Sequence, residues 1–462
     1  MLKKIIPFIS IIFVSIYLPT YIYTKNVDKV LFFDVLPVLI VFCAISALVF
    51  TIFLLITKNV VKSSLSAIIF IIIITNYKLL EGAFNFLLPM LNYWHVLPIF
   101  LVVSLHIVYF IYIKTTNKVC EITINIICIT IGSLVIFNFI LAAPSIIKTV
   151  RLAITEADDK MYVDSQKAND SPNIYYLLLD EYSSFDVIEQ YYNYDNTEFA
   201  NWLEAQGFFV SYNSSNESSD TTTVVTNYVN LEYLVNDETS SSDKSYLRKN
   251  SKLVELMSLN GYKIIGLGDS MFIGIDSMTG GNGGGANTIE GLDFQQVVLN
   301  YSVIYPFIIN ESDSSLILDS FDYFNYKNNY ADEQTFTVMY LVTPHEPFIF
   351  DENGGSVLPR NYNNWDDKEF YLGQYIYITK LIKQAVSKII ENDPNSIIVL
   401  QSDHSARFVN GIVANDRQKI LNAVYYPSKD ISKINAKSGV NTWRLVINQL
   451  FDMNLNIVEV DE

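Results

Sequence analysis

The chain has 462 residues, enough for at least two structural units, because single cores rarely grow beyond ~250–300 residues. Its net charge of −17 is unevenly spread: residues 1–150 hold ten Lys and four Asp or Glu, the rest 21 Lys or Arg and 44 Asp or Glu. That acidity argues against nucleic acid as a partner, since phosphate backbones are bound by clustered cations, and makes a divalent cation the more natural companion. The three cysteines, Cys43, Cys120 and Cys128, lie in the apolar first part, so the second part has no disulfide framework.

Apolar runs fall at about residues 5–23, 35–56, 60–76, 94–113 and 122–142, each near the ~20 residues a helix needs to cross hydrocarbon. They predict a five-helix transmembrane bundle over 1–145. The third run is the weakest, with its uninterrupted apolar stretch confined to Ala67–Ile74 and with Lys78 and Glu81 soon after. No small-x-small cleavage site closes the first run, which favours a retained anchor over a signal peptide. With the N-terminus inside, the inner loops hold Lys3, Lys4, Lys58, Lys62, Lys114 and Lys118, the outer ones Lys25, Lys29 and Lys78. The charge rule then places everything after about residue 143 outside a plasma membrane; an even number of crossings would reverse that side. His95 and His106, in or beside the fourth run, read as packed or interfacial imidazoles before they read as a functional path.

After a polar stem at 146–172, β-rich runs alternate with amphipathic ones, which predicts an α/β domain over 173–462 built on a mostly parallel sheet. The expected strands are Ile174–Leu179, Tyr262–Gly268, Thr335–Val342, Ser396–Ser402 and Ile420–Tyr426; the expected helices are 197–206, 251–260, 367–391 and 441–453. Ser-rich 238–251 and Gly-rich 280–285 read as loops.

Ligands of such sheets bind beyond the carboxyl ends of strands. Asp180 and Glu181 follow the first expected strand, His345 the third, and Asp403-His404 the fourth. Asp180, Asp403 and His404 form a donor set that suits Mn2+, Mg2+ or Zn2+. Taken singly, each reads equally well as a turn, cap or hydrogen-bonded pair. The segment from Ser218 to Thr226 supplies hydroxyls, among which Thr221 is the expected fourth ligand; Thr222, Thr223 and Ser219 remain alternatives. Metal coordination is one way to turn such a hydroxyl into a nucleophile, and the same cation neutralises a phosphoryl oxygen. Glu181 reads as a strand-end residue facing solvent or an extra ligand. Arg407 is placed to pair with a phosphate oxygen or to act as surface charge.

At these residues the sequence resembles the sulfatase and alkaline phosphatase superfamily, in particular its membrane-anchored branch of lipoteichoic acid synthases and similar phosphoglycerol transferases. Pro-Asn-Ile-Tyr-Tyr-Leu-Leu-Leu-Asp-Glu-Tyr at 172–182 looks like the family's first strand and metal carboxylate, Asn-Leu-Glu-Tyr-Leu at 230–234 the end of its nucleophile helix, and Gln-Ser-Asp-His at 401–404 its second pair of metal ligands. Pro-His-Glu-Pro-Phe at 344–348 is similar to Pro-His-Pro-Pro-Phe, and Val-Asn-Thr-Trp-Arg at 440–444 echoes the closing helix. The resemblance implies Thr221 as nucleophile, metal ligation by Asp180, Thr221, Asp403 and His404, and substrate contact by His345. The segment before Thr221 and the Ser405 after His404 depart from the family pattern.

No Cys/Ser-x-Pro-x-Arg segment is present, so a sulfate ester is not the expected substrate. With two histidines in the second half, one metal is expected, Mn2+ favoured. The expected activity is transfer of a phosphoglycerol- or phosphoethanolamine-type group from a phospholipid to a glycolipid or polysaccharide of the cell envelope. Hydrolysis on the same fold and a catalytically inactive surface-binding protein are the alternatives.

Overall fold

A computed structural model describes residues 2–27, 30, 32–78, 93–155, 171–275, 277–278, 294–299, 301–303, 313–326, 334–357, 367–406, 411–429 and 436–459. The chain divides into two units, Met1–Lys160 with Leu292–Glu311, and Met161–Gly291 with Ser312–Glu462.

The first unit is helical. Among the described residues four helices are long and apolar enough to cross a bilayer: Ile5–Thr24, Val35–Thr57, His95–Lys114 and Asn117–Pro144. The weak third run forms a shorter helix, Val60–Thr75, whose Ser63–Ile68 face is buried. Side chains such as Ile40, Leu55, Leu105 and Ile129 point outward at 66–74 % exposure, an apolar surface suited to lipid rather than water. Small and hydroxylated residues line the helix contacts instead, as expected where lipid removes the hydrophobic drive between helices. The hydroxyls of Ser10, Ser15 and Thr20 bond to carbonyls one turn earlier, and Asn138 donates to Thr20 across the helix pair at 3.3 Å.

The second unit is a six-stranded sheet between two helical layers. Its strands are β1 (Ile174–Leu179), β2 (Phe208–Val210), β3 (Lys263–Gly268), β4 (Thr335–Leu341), β5 (Ile397–Ser402) and β6 (Asn422–Tyr425), in the order β2-β6-β5-β1-β4-β3. β1, β3, β4 and β5 run parallel, while β6 and β2 are antiparallel to their neighbours. All six residues of β1 are buried, as a central parallel strand requires. Alternate side chains feed two cores: Tyr175, Leu177 and Leu179 meet the long helix Lys368–Asn392, whereas Ile174, Tyr176 and Leu178 meet the layer holding helices Thr221–Asn230, Lys252–Leu259 and Gly439–Phe451. Each such side chain stabilises the fold by about 1.5–3 kcal/mol.

Five expected strands and four expected helices form within a residue or two of their sequence bounds. The segment 238–251, expected as loop, contains helix Ser241–Lys249. Its Ser240 side chain accepts from the Asp243 N–H, a cap that starts a helix in spite of the serine content, and buried Lys244 and Arg248 anchor it. The Gly-rich 280–285 lies outside the described residues.

Candidate active site

Three parallel strands deliver the site. Asp180 follows β1, His345 lies beyond β4, and Asp403-His404 follows β5, so the groups converge because their strands are neighbours. The fourth element is helix Thr221–Asn230, which places Thr221 at its first position. Its cap is Asp220, whose Oδ1 accepts the Thr223 N–H at 2.8 Å and the Thr223 hydroxyl at 2.9 Å. Buried Lys244 closes this end, reaching Asp220 Oδ1 at 3.2 Å and Thr223 Oγ1 at 2.7 Å. Burial alone would raise the Asp220 carboxyl, but hydrogen bonds from Thr222 and Thr223 and the Lys244 charge hold it down at about 2. Thr222 and Thr223 thus direct their hydroxyls to Asp220.

Thr221 turns the other way. Its Oγ1 lies 3.1 Å from His404 Nε2 and 3.4 Å from Asp180 Oδ1. His404 Nε2 is 3.2 Å from Asp403 Oδ2 and 3.7 Å from Asp180 Oδ1. Asp180, Asp403 and His404 are buried, their ligating atoms within 4.8 Å of one another. The structure therefore brings Asp180, Thr221, Asp403 and His404 together.

Each member is oriented by a second contact. Asp403 Oδ1 accepts the N–H groups of Glu181 at 3.1 Å and His404 at 2.8 Å, which aims Oδ2 at the imidazole. Asp180 Oδ2 accepts the Tyr340 hydroxyl at 3.2 Å, leaving Oδ1 toward Thr221. His404 Nδ1 is 2.8 Å from the Ser405 carbonyl; a carbonyl only accepts, so Nδ1 carries a proton, and in the neutral ring Nε2 presents a lone pair. Asn216 donates to the Asp403 carbonyl at 2.6 Å, and Tyr228, from the middle of the Thr221 helix, to the Ser402 carbonyl at 3.0 Å.

The donor set fits a divalent cation. Two carboxylate oxygens, an imidazole lone pair and a hydroxyl face one point, and a proton on Nε2 would balance only one of the two negative charges. Ligands held at about 2.1 Å from an ion sit roughly 3.0–3.5 Å apart, close to the separations found between these atoms.

A second group stands beside the first: Glu181, His345 and Glu346 bring ligating atoms within 4.8 Å of one another. Glu181 is buried at 2 % exposure rather than facing solvent, because its left-handed backbone, φ 60°, turns the chain as β1 ends. His345 is tied to the residue that follows β1 through its N–H to the Asp180 carbonyl, 3.3 Å, and its Nδ1 meets the Glu346 carbonyl at 2.6 Å. Arg407 lies outside the described residues. Asp220, Lys244, Arg248 and Tyr340 carried no role in the sequence; only Asp220 had a signal, as a capping residue before an apolar run.

No family model matches this chain, and no curated protein does. Solved structures do match. The C-terminal periplasmic domain of EcEptC from Escherichia coli, in complex with Zn, is 13 % identical at a TM-score of 0.42 and covers 62 % of this chain and 84 % of that one. Lipooligosaccharide phosphoethanolamine transferase A (EptA), an integral membrane protein from Neisseria meningitidis, is 14 % identical at 0.39, covering 96 % and 95 %. The lipoteichoic acid synthase LtaP from Listeria monocytogenes is 15 % identical at 0.39, covering 63 % and 74 %. Likeness at these values fixes neither activity nor substrate, which turn on the side-chain geometry.

Proposed function

We propose that this chain is a membrane-anchored phosphotransferase of the sulfatase and alkaline phosphatase superfamily, transferring a phosphoglycerol- or phosphoethanolamine-type head group through Thr221. The observation that carries this reading is the position of Thr221 Oγ1, 3.1 Å from His404 Nε2 and 3.4 Å from Asp180 Oδ1. Asp180, Thr221, Asp403 and His404 would hold one divalent cation, Mn2+ by preference. Such an ion favours the alkoxide form of a bound hydroxyl and neutralises phosphoryl charge.

Thr221 Oγ attacks the phosphorus of a phosphodiester. The Thr–O–P bond forms, the P–O bond to the diacylglycerol breaks, the threonine proton is lost and the departing oxygen gains one. An acceptor hydroxyl then attacks the same phosphorus: the acceptor O–P bond forms, the Thr221 Oγ–P bond breaks, and the acceptor loses its proton as Thr221 Oγ regains one; water in its place gives hydrolysis. The ten-residue helix Thr221–Asn230 points its N-terminus at the group on Thr221, where a helix favours negative charge. His345 faces the substrate.

A chain that joins apolar helices to an acidic catalytic unit suits a phospholipid donor and a glycolipid or polysaccharide acceptor on the outer face of a plasma membrane, the side that the loop lysines favour. The test is the full-length chain in vesicles carrying labelled phosphatidylglycerol or phosphatidylethanolamine. Diacylglycerol release that needs a divalent cation and disappears in Thr221→Ala supports the reading; release that persists in Thr221→Ala overturns it. Label on an acceptor marks a transferase, and label freed to water a hydrolase.

A further inference from the structure

We infer that Tyr340 is a positioning residue for the cation cage, holding Asp180 in register with Thr221 through a column that runs from Tyr340 over Phe272 to Arg248. The inference rests on the proposed reading of Asp180, Thr221, Asp403 and His404 as ligands. Tyr340 pairs with Leu178 in the sheet, two residues before Asp180, and is 1 % exposed. Its hydroxyl donates to Asp180 Oδ2 at 3.2 Å. A carboxylate has two equivalent oxygens and rotates between them; a buried donor on one decides which the cage receives.

The tyrosine is itself held. Its ring stacks on Phe272, with centroids 5.3 Å apart and planes 21° apart. The Arg248 guanidinium lies 4.0 Å from the Phe272 centroid on that ring, an arrangement in which a desolvated cation is attracted to the π-face. Arg248 in turn donates to the Thr222 carbonyl at 3.2 Å and the Thr226 hydroxyl at 3.1 Å, both in the helix that begins with Thr221. The carboxylate and the hydroxyl of the cage therefore share one support, and their separation is set by a stack of three side chains that never touch the cation.

The experiment titrates Mn2+ into full-length protein in detergent by calorimetry, beside the metal-free melting temperature. Tyr340→Phe keeps the ring and removes only the donor. It is expected to weaken Mn2+ binding about tenfold or more, with metal-free melting within about 4 °C of wild type. Phe272→Leu, which breaks the column without touching Asp180, weakens binding in the same direction. Tyr340→Phe that binds Mn2+ like wild type, whatever its melting temperature, overturns this inference alone. A wild-type chain that takes up no Mn2+, Mg2+ or Zn2+ overturns the cage reading and this inference with it.

Discussion

Thr221 Oγ1 lies 3.1 Å from His404 Nε2, although 183 positions separate the two in the chain. One sits at the start of a helix capped by Asp220, the other just beyond β5, and the contact depends on both being fixed by neighbours that do no chemistry.

With the hydroxyl of Thr221 as the proposed reacting group, Thr221→Ala is expected to lower turnover of a phosphodiester by about 10³-fold or more, while Thr221→Ser retains a measurable fraction. The comparison is of kcat/KM on the same lipid vesicles. Equal losses in Thr222→Ala and Thr221→Ala would contradict the assignment, since Thr222 directs its hydroxyl to Asp220.

One cation per chain is expected from elemental analysis after dialysis against Mn2+, falling to none in Asp403→Asn, which keeps the volume but removes the charge. A ratio of two would assign an ion to Glu181, His345 and Glu346, the other group of close ligating atoms among the described residues.

Asp220 has its carboxyl lowered in the folded state, to about 2 from 3.8. A depressed folded value stabilises the protein above the unfolded value, and that stabilisation is lost as pH falls from about 4 through about 2. Asp220→Asn should therefore flatten this part of an acid-unfolding curve. Asp220→Ala should cost about 1 kcal/mol at neutral pH through loss of the cap, measured by urea denaturation. An acid limb identical to wild type in Asp220→Asn would contradict this.

Gly439 begins the closing helix, and a Cβ there would overlap the Tyr228 ring. Gly439→Ala must push aside the tyrosine that links the Thr221 helix to the end of β5, at a cost of about 1–3 kcal/mol. Denaturant midpoints check the cost; an unchanged midpoint would mean that the tyrosine moves freely.

Much of the fold was legible because its signals are local. The β-rich runs that became β1, β3, β4 and β5 carry residues that bury on both faces, and Gly207 and Gly261 mark helix ends with positive φ. β2 was not legible: three residues, Phe208–Val210, form a strand only by pairing with β6. Strand direction is equally non-local, so the antiparallel run of β6 was hidden in a sequence that reads like its parallel neighbours. Strand ends pointed to Asp180, Asp403 and His404 because loops there converge. Tyr340, Lys244 and Arg248 were hidden because a tyrosine within a strand and two cations in a Ser-rich segment look like core and solvent-facing charge until tertiary packing brings them to Asp180 and to the Thr221 helix.

The most direct measurement of the central claim is an anomalous-scattering map of the Mn2+-soaked protein. A peak is expected within about 2.0–2.3 Å of Thr221 Oγ1, Asp180 Oδ1, Asp403 Oδ2 and His404 Nε2. A map with no peak among these atoms, or with its density at Glu181, His345 and Glu346 alone, would contradict it.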